Sequence, residues 1–315
     1  HHPVHFLAGV LTHDPGMYPK RLLLEEVRRC GGAVLGVNVD VSEEVYRVED
    51  LDGGWGVRVP LTEVKGITDE EIASILRARP FGSLVDFHTR TRVSAPVIEN
   101  LICVGAFDHL HRATRRDLLL ALRDLARNRR AAAGMSQASL GIDAAPDLAA
   151  GLPEMTPAEQ VRAELDVLGL DVSRHVLDFY GEFLDALGVV RSEDLLSIRH
   201  REGLLVAGVK VATQTPPMRS GQRVVFCTLD DATGPVDVTF FSDAQTRSAP
   251  ALFDSWLLLA QGDLRRTGQR GVSLRADMCW DLPQLFEVWR RTHDVATVRR
   301  SLRIDGLGDG ESKKH

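Results

Sequence analysis

Two short stretches of this 315-residue sequence carry residue types suited to holding a phosphate. Lys65-Gly66-Ile67 and Val104-Gly105-Ala106 each place a glycine between two helical patterns. Glycine has no side chain to keep a ligand away, and it accepts the left-handed turn that presents backbone N–H groups. Such donors beside a helix N-terminus suit an anion. Lys65 adds a charge; the second turn has none and would depend on nearby Arg112, Arg115 and Arg116. Two such turns in tandem would hold the phosphate backbones of a duplex without reading its bases. A single glycine of this kind is more simply a helix C-cap; the repetition favours the phosphate reading.

Other candidates are weaker. From Arg112 to Arg130 there are seven arginines against two aspartates, which suits a phosphate-facing helix or, equally, a solvated one. Arg265, Arg266 and Arg270 cluster between two alternating patterns, and Phe226, Phe240 and Phe241 are the nearby stacking candidates. Asp230-Asp231 reads as turn chemistry rather than a metal site. His109 and His111 read as surface residues. The sequence contains no HExxH, no GxSxG and no glycine-rich phosphate loop, so no catalytic or metal-binding residue is assigned.

The elements that must position these residues follow from periodicity. Helices are expected on both sides of Asp14-Pro15-Gly16, a short strand at Val34–Val39, and a hairpin turned on Asp52-Gly53-Gly54. A helix after Gly66 opens with Thr68 and Glu71 as a capping box and stops before Pro80. A second begins at Ser94 and Pro96 and runs to Cys103, and a longer one covers Thr114 to about Arg130. Beyond a linker, Pro157–Leu168 and Phe179–Leu187 are helical. From Leu204 the period becomes two, giving strands at 204–213, 223–229, 236–241, 256–262 and 271–278, with a helix near 249–253. Five short strands with a helix after the third suggest an OB-type barrel with binding loops at 214–222 and 264–271. The expected class is α+β and multidomain: 1–60, a tandem helix-hairpin-helix region at 61–130, a linker with helices at 131–203, the barrel at 204–282, and a C-terminal helix and tail at 283–315.

The net charge of −6 argues mildly against a chain coated for nucleic acid but permits one basic face. No stretch approaches the roughly 20 apolar residues of a membrane helix. Cys30, Cys103, Cys227 and Cys279 lie in apolar runs, far apart, and read as buried thiols in a reducing cytoplasm.

At several of these segments the sequence resembles the bacterial C-family DNA polymerases, the family of the DNA polymerase III alpha subunit. Val37-Asn38-Val39-Asp40-Val41-Ser42 followed by Tyr46-Arg47-Val48-Glu49, the first hairpin from Leu61 to Arg79, and Leu101 to Leu110 with its Gly105-Ala106-Phe107-Asp108 string carry the likeness. So do Glu164 to Leu170 and Phe226 to Gly234. His2-Pro3 through Leu11 looks like the end of the fingers. The resemblance implies a non-catalytic DNA-binding part, duplex held by the hairpins and single-stranded template by the barrel. The palm, and with it Mg2+, belongs to a segment absent here. It further implies contacts at Lys65, Gly66, Ile67, Val104, Gly105, Ala106, Arg112, Arg115, Arg116, Phe226, Arg265, Arg266 and Arg270. The family's sliding-clamp peptide matches Gln137-Ala138-Ser139-Leu140-Gly141, where glycine replaces the aromatic anchor, so Gln137 and Leu140 form a degenerate motif and clamp binding is not expected. That loss, and a chain that stops soon after the barrel, favour the error-prone translesion type. The other reading is a protein-interaction scaffold of a mutasome or replication complex.

Overall fold

In the computed structural model, residues 2–16, 18–134, 151–198, 203–216, 223–266, 268 and 271–302 are described. The chain forms two compact units, His1–Arg174 and His175–His315.

The first unit opens with α1 (Pro3–His13) and α2 (Lys20–Arg29). A three-stranded sheet follows, β1 (Ala33–Leu35), β2 (Arg47–Leu51) and β3 (Gly54–Arg58), in the order β1-β3-β2. The β2–β3 hairpin is antiparallel around Asp52-Gly53, and β1 lies parallel to β3. A 3₁₀ turn at Leu61–Glu63 leads into α3 (Asp69–Ala78), then α4 (Leu84–Arg90), α5 (Ala95–Cys103), α6 (Arg115–Gly134) and α7 (Pro157–Leu168). One apolar core runs from Val4 through Val39, Ile75, Phe87, Leu101 and Phe107 to Val172. The segments 1–60 and 61–130 therefore share a core.

Helix α4 has no counterpart in the periodicity. Its seven residues are too few to show a stripe, and it is held by its neighbours. The Ser83 hydroxyl accepts from the Asp86 N–H at 3.0 Å, and His111 Nε2 accepts from the Leu84 N–H at 2.9 Å. Phe87 stacks edge-on to Phe81 and Phe107 with ring centres 4.8 and 4.9 Å away. Each fully buried ring of this kind stabilises the unit by about 2 to 3 kcal/mol.

In the second unit a 3₁₀ turn at Val176–Tyr180 runs into α8 (Gly181–Leu187). Then come β4 (Leu204–Gln214), β5 (Val225–Asp230), β6 (Pro235–Phe240), α9 (Ser242–Asp254), β7 (Leu257–Arg266) and β8 (Val272–Asp281), followed by α10 (Leu282–Thr292) and α11 (Val295–Ser301). The five strands close in the order β4-β5-β6-β8-β7, with β6 and β8 parallel and the other pairs antiparallel. Alternation sends Val225, Cys227, Leu229, Val238, Phe240, Leu258, Leu274 and Ala276 inward. Helix α9 is longer than its apolar pattern suggests and passes through Pro250. Its buried Ala244 and Leu252 join the barrel core, and the Ser248 hydroxyl accepts from the Cys279 N–H at 2.9 Å. Packing outweighs the proline here. Two aromatic rings of α10, Phe286 and Trp289, lie against Phe183 of α8 with ring centres 5.7 and 5.5 Å away.

Candidate nucleic-acid interfaces

The first hairpin keeps one backbone donor open, the Gly66 N–H. Gly66 stands at φ +82°, and a β-carbon placed there would meet nothing within 4 Å. The turn is fastened on either side: the Lys65 N–H donates to the Val167 carbonyl at 3.0 Å, and Asn100 Nδ2 donates to the Lys65 carbonyl at 2.9 Å. The Ile67 N–H is turned back to the Val64 carbonyl at 3.2 Å. The Gly66 N–H and the exposed Lys65 ammonium have no partner among the described residues. Beyond them, Thr68 caps α3 and Glu71 returns the bond. The exposed Asp69 and Glu70 suit the helix dipole but offset the Lys65 charge.

Glu71 also ties the two hairpins together. One of its oxygens accepts from the Thr68 N–H at 2.9 Å and the other from the Ser94 N–H, at the start of α5, at 2.8 Å. Burial by itself would raise this carboxyl, but the hydrogen bonds from Ser94 and Thr68 prevail and hold it below the usual glutamate range.

The second hairpin is built differently. Gly105 stands at φ +78°; its N–H donates to Ile102 and the Ala106 N–H donates to Leu101. This is the two-bond Schellman closure of a helix C-terminus. The Val104 N–H is likewise spent on Asn100, and the Ala106 carbonyl accepts from Val39. Val104 and Ala106 are buried. The phosphate role expected of Val104, Gly105 and Ala106 thus has no open backbone donor to rest on. Arg115 folds back over the turn, donating to the Cys103 carbonyl at 3.0 Å and pairing with Asp108 at 2.7 Å. Arg116 pairs with Glu159 of α7 at 2.7 Å. Both arginines are committed within the unit, whereas Arg112 is exposed with no partner among the described residues. The side chains of exposed Arg77 and Arg92 likewise have no partner among the described residues, and no motif marked them.

On the barrel, Phe226 is 41% exposed on β5, and alternation separates buried Phe240 from Phe241, 38% exposed. Arg275 of β8 sits over the Phe241 ring at 5.3 Å, a cation–π contact that pairing across the sheet creates and that sequence reading missed. Strands β7 and β8 extend further than expected, so Arg265 and Arg266 lie at the end of β7 rather than in a loop. Arg265 is exposed, and Arg266 donates to the Leu196 carbonyl. Arg270, Gln137 and Leu140 lie outside the described residues.

The remaining expected sites resolve into structure. Asp231 is a turn-former: one oxygen accepts from the Thr233 and Gly234 N–H groups, the other from the Ser192 N–H at 2.7 Å. His111 is half-buried rather than superficial, and burial, with His109 nearby, lowers its pKa. Cys227 and Cys279 are buried, and burial pushes their thiols up to about 11 and about 12. Cys30, at the end of α2, is exposed, contrary to the expectation from its apolar run.

A tandem hairpin unit and a closed five-stranded OB-type barrel on one chain define a nucleic-acid-binding protein. Residues 31–118 match the helix-hairpin-helix motif family and residues 204–282 match the OB-fold nucleic acid binding domain family. The error-prone DNA polymerase of Symbiobacterium thermophilum is 34% identical over 80% of this chain and 27% of its own length. The DNA polymerase III subunit alpha of Vibrio cholerae is 29% identical over 96% of this chain and 27% of its own. The error-prone DNA polymerase of Nocardia farcinica is 31% identical over 88% and 24%. Among solved structures, yeast Stn1 and Ten1 shows a distant likeness over 34% of this chain and 57% of that one, at 15% identity and a TM-score of 0.23. The chain spans about a quarter of the length of the curated relatives it matches. Over most of its length it is a relative of the error-prone DNA polymerases and DNA polymerase III alpha subunits, and its hairpin and OB-fold regions fit a C-terminal portion of such a protein. No helix among the described residues is long and apolar enough to cross a membrane.

Proposed function

We propose that this chain is the DNA-holding part of an error-prone, translesion type of C-family polymerase. The hairpin unit holds primer–template duplex by its phosphates, and the barrel receives single-stranded template. The observation that carries this reading is the first hairpin: the Gly66 N–H and the Lys65 ammonium are both open on a turn fastened through Asn100 and Val167. Such a turn contacts backbone without reading bases. The second hairpin positions the first; its own part in binding is confined to Arg112.

The test is binding of a labelled primer–template across a salt series. Affinity should fall steeply with salt, and Lys65→Glu should weaken it for every sequence and reduce the slope of log affinity against log salt by about one. Binding that ignores salt, or that Lys65→Glu leaves intact, would sink the duplex reading and favour a protein-interaction scaffold, which the net charge of −6 suits.

A further inference from the structure

Strand register arranges the outer face of the barrel in two rows. One reads Phe226, Thr239, Arg275 and Asp263 across β5, β6, β8 and β7; the next reads Thr228, Asp237, Ser273 and Arg265. Successive residues on one face of a strand are about 7 Å apart, so the rows are neighbours. Each row holds one carboxylate and one guanidinium, and the charges cancel. A face with no net positive charge gains little by neutralising phosphates. What it offers instead are two exposed aromatic rings, Phe226 and Phe241, the second covered by Arg275 at 5.3 Å. Those are platforms for bases.

One row from Phe226, on the side away from Phe241, stands Asp237, exposed on β6 and level with Thr228. One of its oxygens accepts from the Thr228 hydroxyl at 2.9 Å, which fixes the carboxylate; the other has no partner among the described residues. An ionised carboxylate accepts hydrogen bonds and donates none. Cytosine, adenine and guanine each bring an amino group to such an acceptor. Thymine brings one ring N–H flanked by two carbonyl oxygens, which the carboxylate repels.

We infer that the barrel face selects single-stranded bases carrying an amino group and discriminates against thymine, with Phe226 as a stacking platform and Asp237 as the residue that sets the choice. The inference rests on the reading of the barrel as the single-strand site and adds the chemistry of what it prefers.

Fluorescence anisotropy of the full chain with labelled oligo-dC and oligo-dT of equal length tests it, at raised salt to suppress base-independent phosphate binding. Oligo-dC should bind about tenfold tighter than oligo-dT, the scale of one good base contact. Asp237→Asn, which supplies both a donor and an acceptor, should close that gap mainly by improving oligo-dT. Phe226→Ala should weaken both about tenfold while preserving the ratio. Equal binding of the two oligonucleotides, or a ratio that Asp237→Asn does not move, overturns the selection while the single-strand reading stands. Failure of both to bind at any salt removes the single-strand reading and this inference with it.

Discussion

Arg115 lies across Gly105: a β-carbon added to that glycine would fall 2.2 Å from Arg115 Nη2 and 2.6 Å from Asp108 Oδ2. The glycine that looked like a phosphate contact is the floor under an ion pair. Gly66, at nearly the same φ, faces open space. Two turns with one sequence signature thus do different work, one closing a helix and one leaving the Gly66 N–H and the Lys65 ammonium open.

Alanine substitution separates them. Gly66→Ala meets only the left-handed backbone penalty, about 1 kcal/mol. Gly105→Ala adds the displacement of Arg115 from Asp108 and the Cys103 carbonyl, and should cost about 2 to 3 kcal/mol in urea denaturation. Equal costs would mean that Arg115 does not hold the turn.

The arginines beyond the second hairpin should divide in the same way. Arg116→Ala removes a pair with Glu159 that is open to solvent, so stability should drop by no more than about 1 kcal/mol, and duplex affinity should hold. Arg112→Ala should lower duplex affinity and the salt slope while leaving the denaturation midpoint in place. A reversal, measured by anisotropy on primer–template, would return Arg116 to the binding surface.

Glu71 gives the first unit a pH dependence. Its folded pKa is depressed, so its stabilisation is complete above the unfolded value, about pH 4.3, and is lost as pH falls through the lower folded value. Glu71→Ala should cost about 1 to 3 kcal/mol at neutral pH, through the lost capping box and the freed Ser94 N–H. The difference from wild type should shrink on acidification below about pH 4. A constant difference across denaturation curves at several acidic pH values would show that packing, rather than the charge, supplies the stabilisation.

Gly262 is where the barrel tolerates no side chain. It sits at the bulge between Gln261 and Gly262 on β7, and a β-carbon there would lie 2.0 Å from the Arg275 carbonyl oxygen. The obstacle is backbone and cannot swing aside. Gly262→Ala should destabilise the unit by about 2 to 3 kcal/mol and weaken oligonucleotide binding by shifting Arg275. Circular dichroism melts and anisotropy together check it, and an unchanged melt would mean that the strands separate more freely than their register implies.

Local chemistry was legible from the residues themselves. The Thr68–Glu71 capping box, the β2–β3 hairpin, the alternation that buries Phe240 and exposes Phe241, and the five barrel strands all express interactions within a few positions of chain. Short-range periodicity could not reveal α4, whose hold comes from the Ser83 cap, from His111 and from the rings of Phe81 and Phe107, or the full length of α9, which packing carries through Pro250. Nor could it tell an open glycine turn from a closed one. That depended on Asn100 and Val167 reaching Lys65 from 35 and 102 positions away, and on Arg115 turning back onto Asp108. The Arg275–Phe241 contact arose likewise, because β8 pairs with β6 across the closure of the barrel. Backbone propensity and burial pattern act along the chain and wrote the elements; which donors and charges stayed free was decided by partners that meet after the chain has folded.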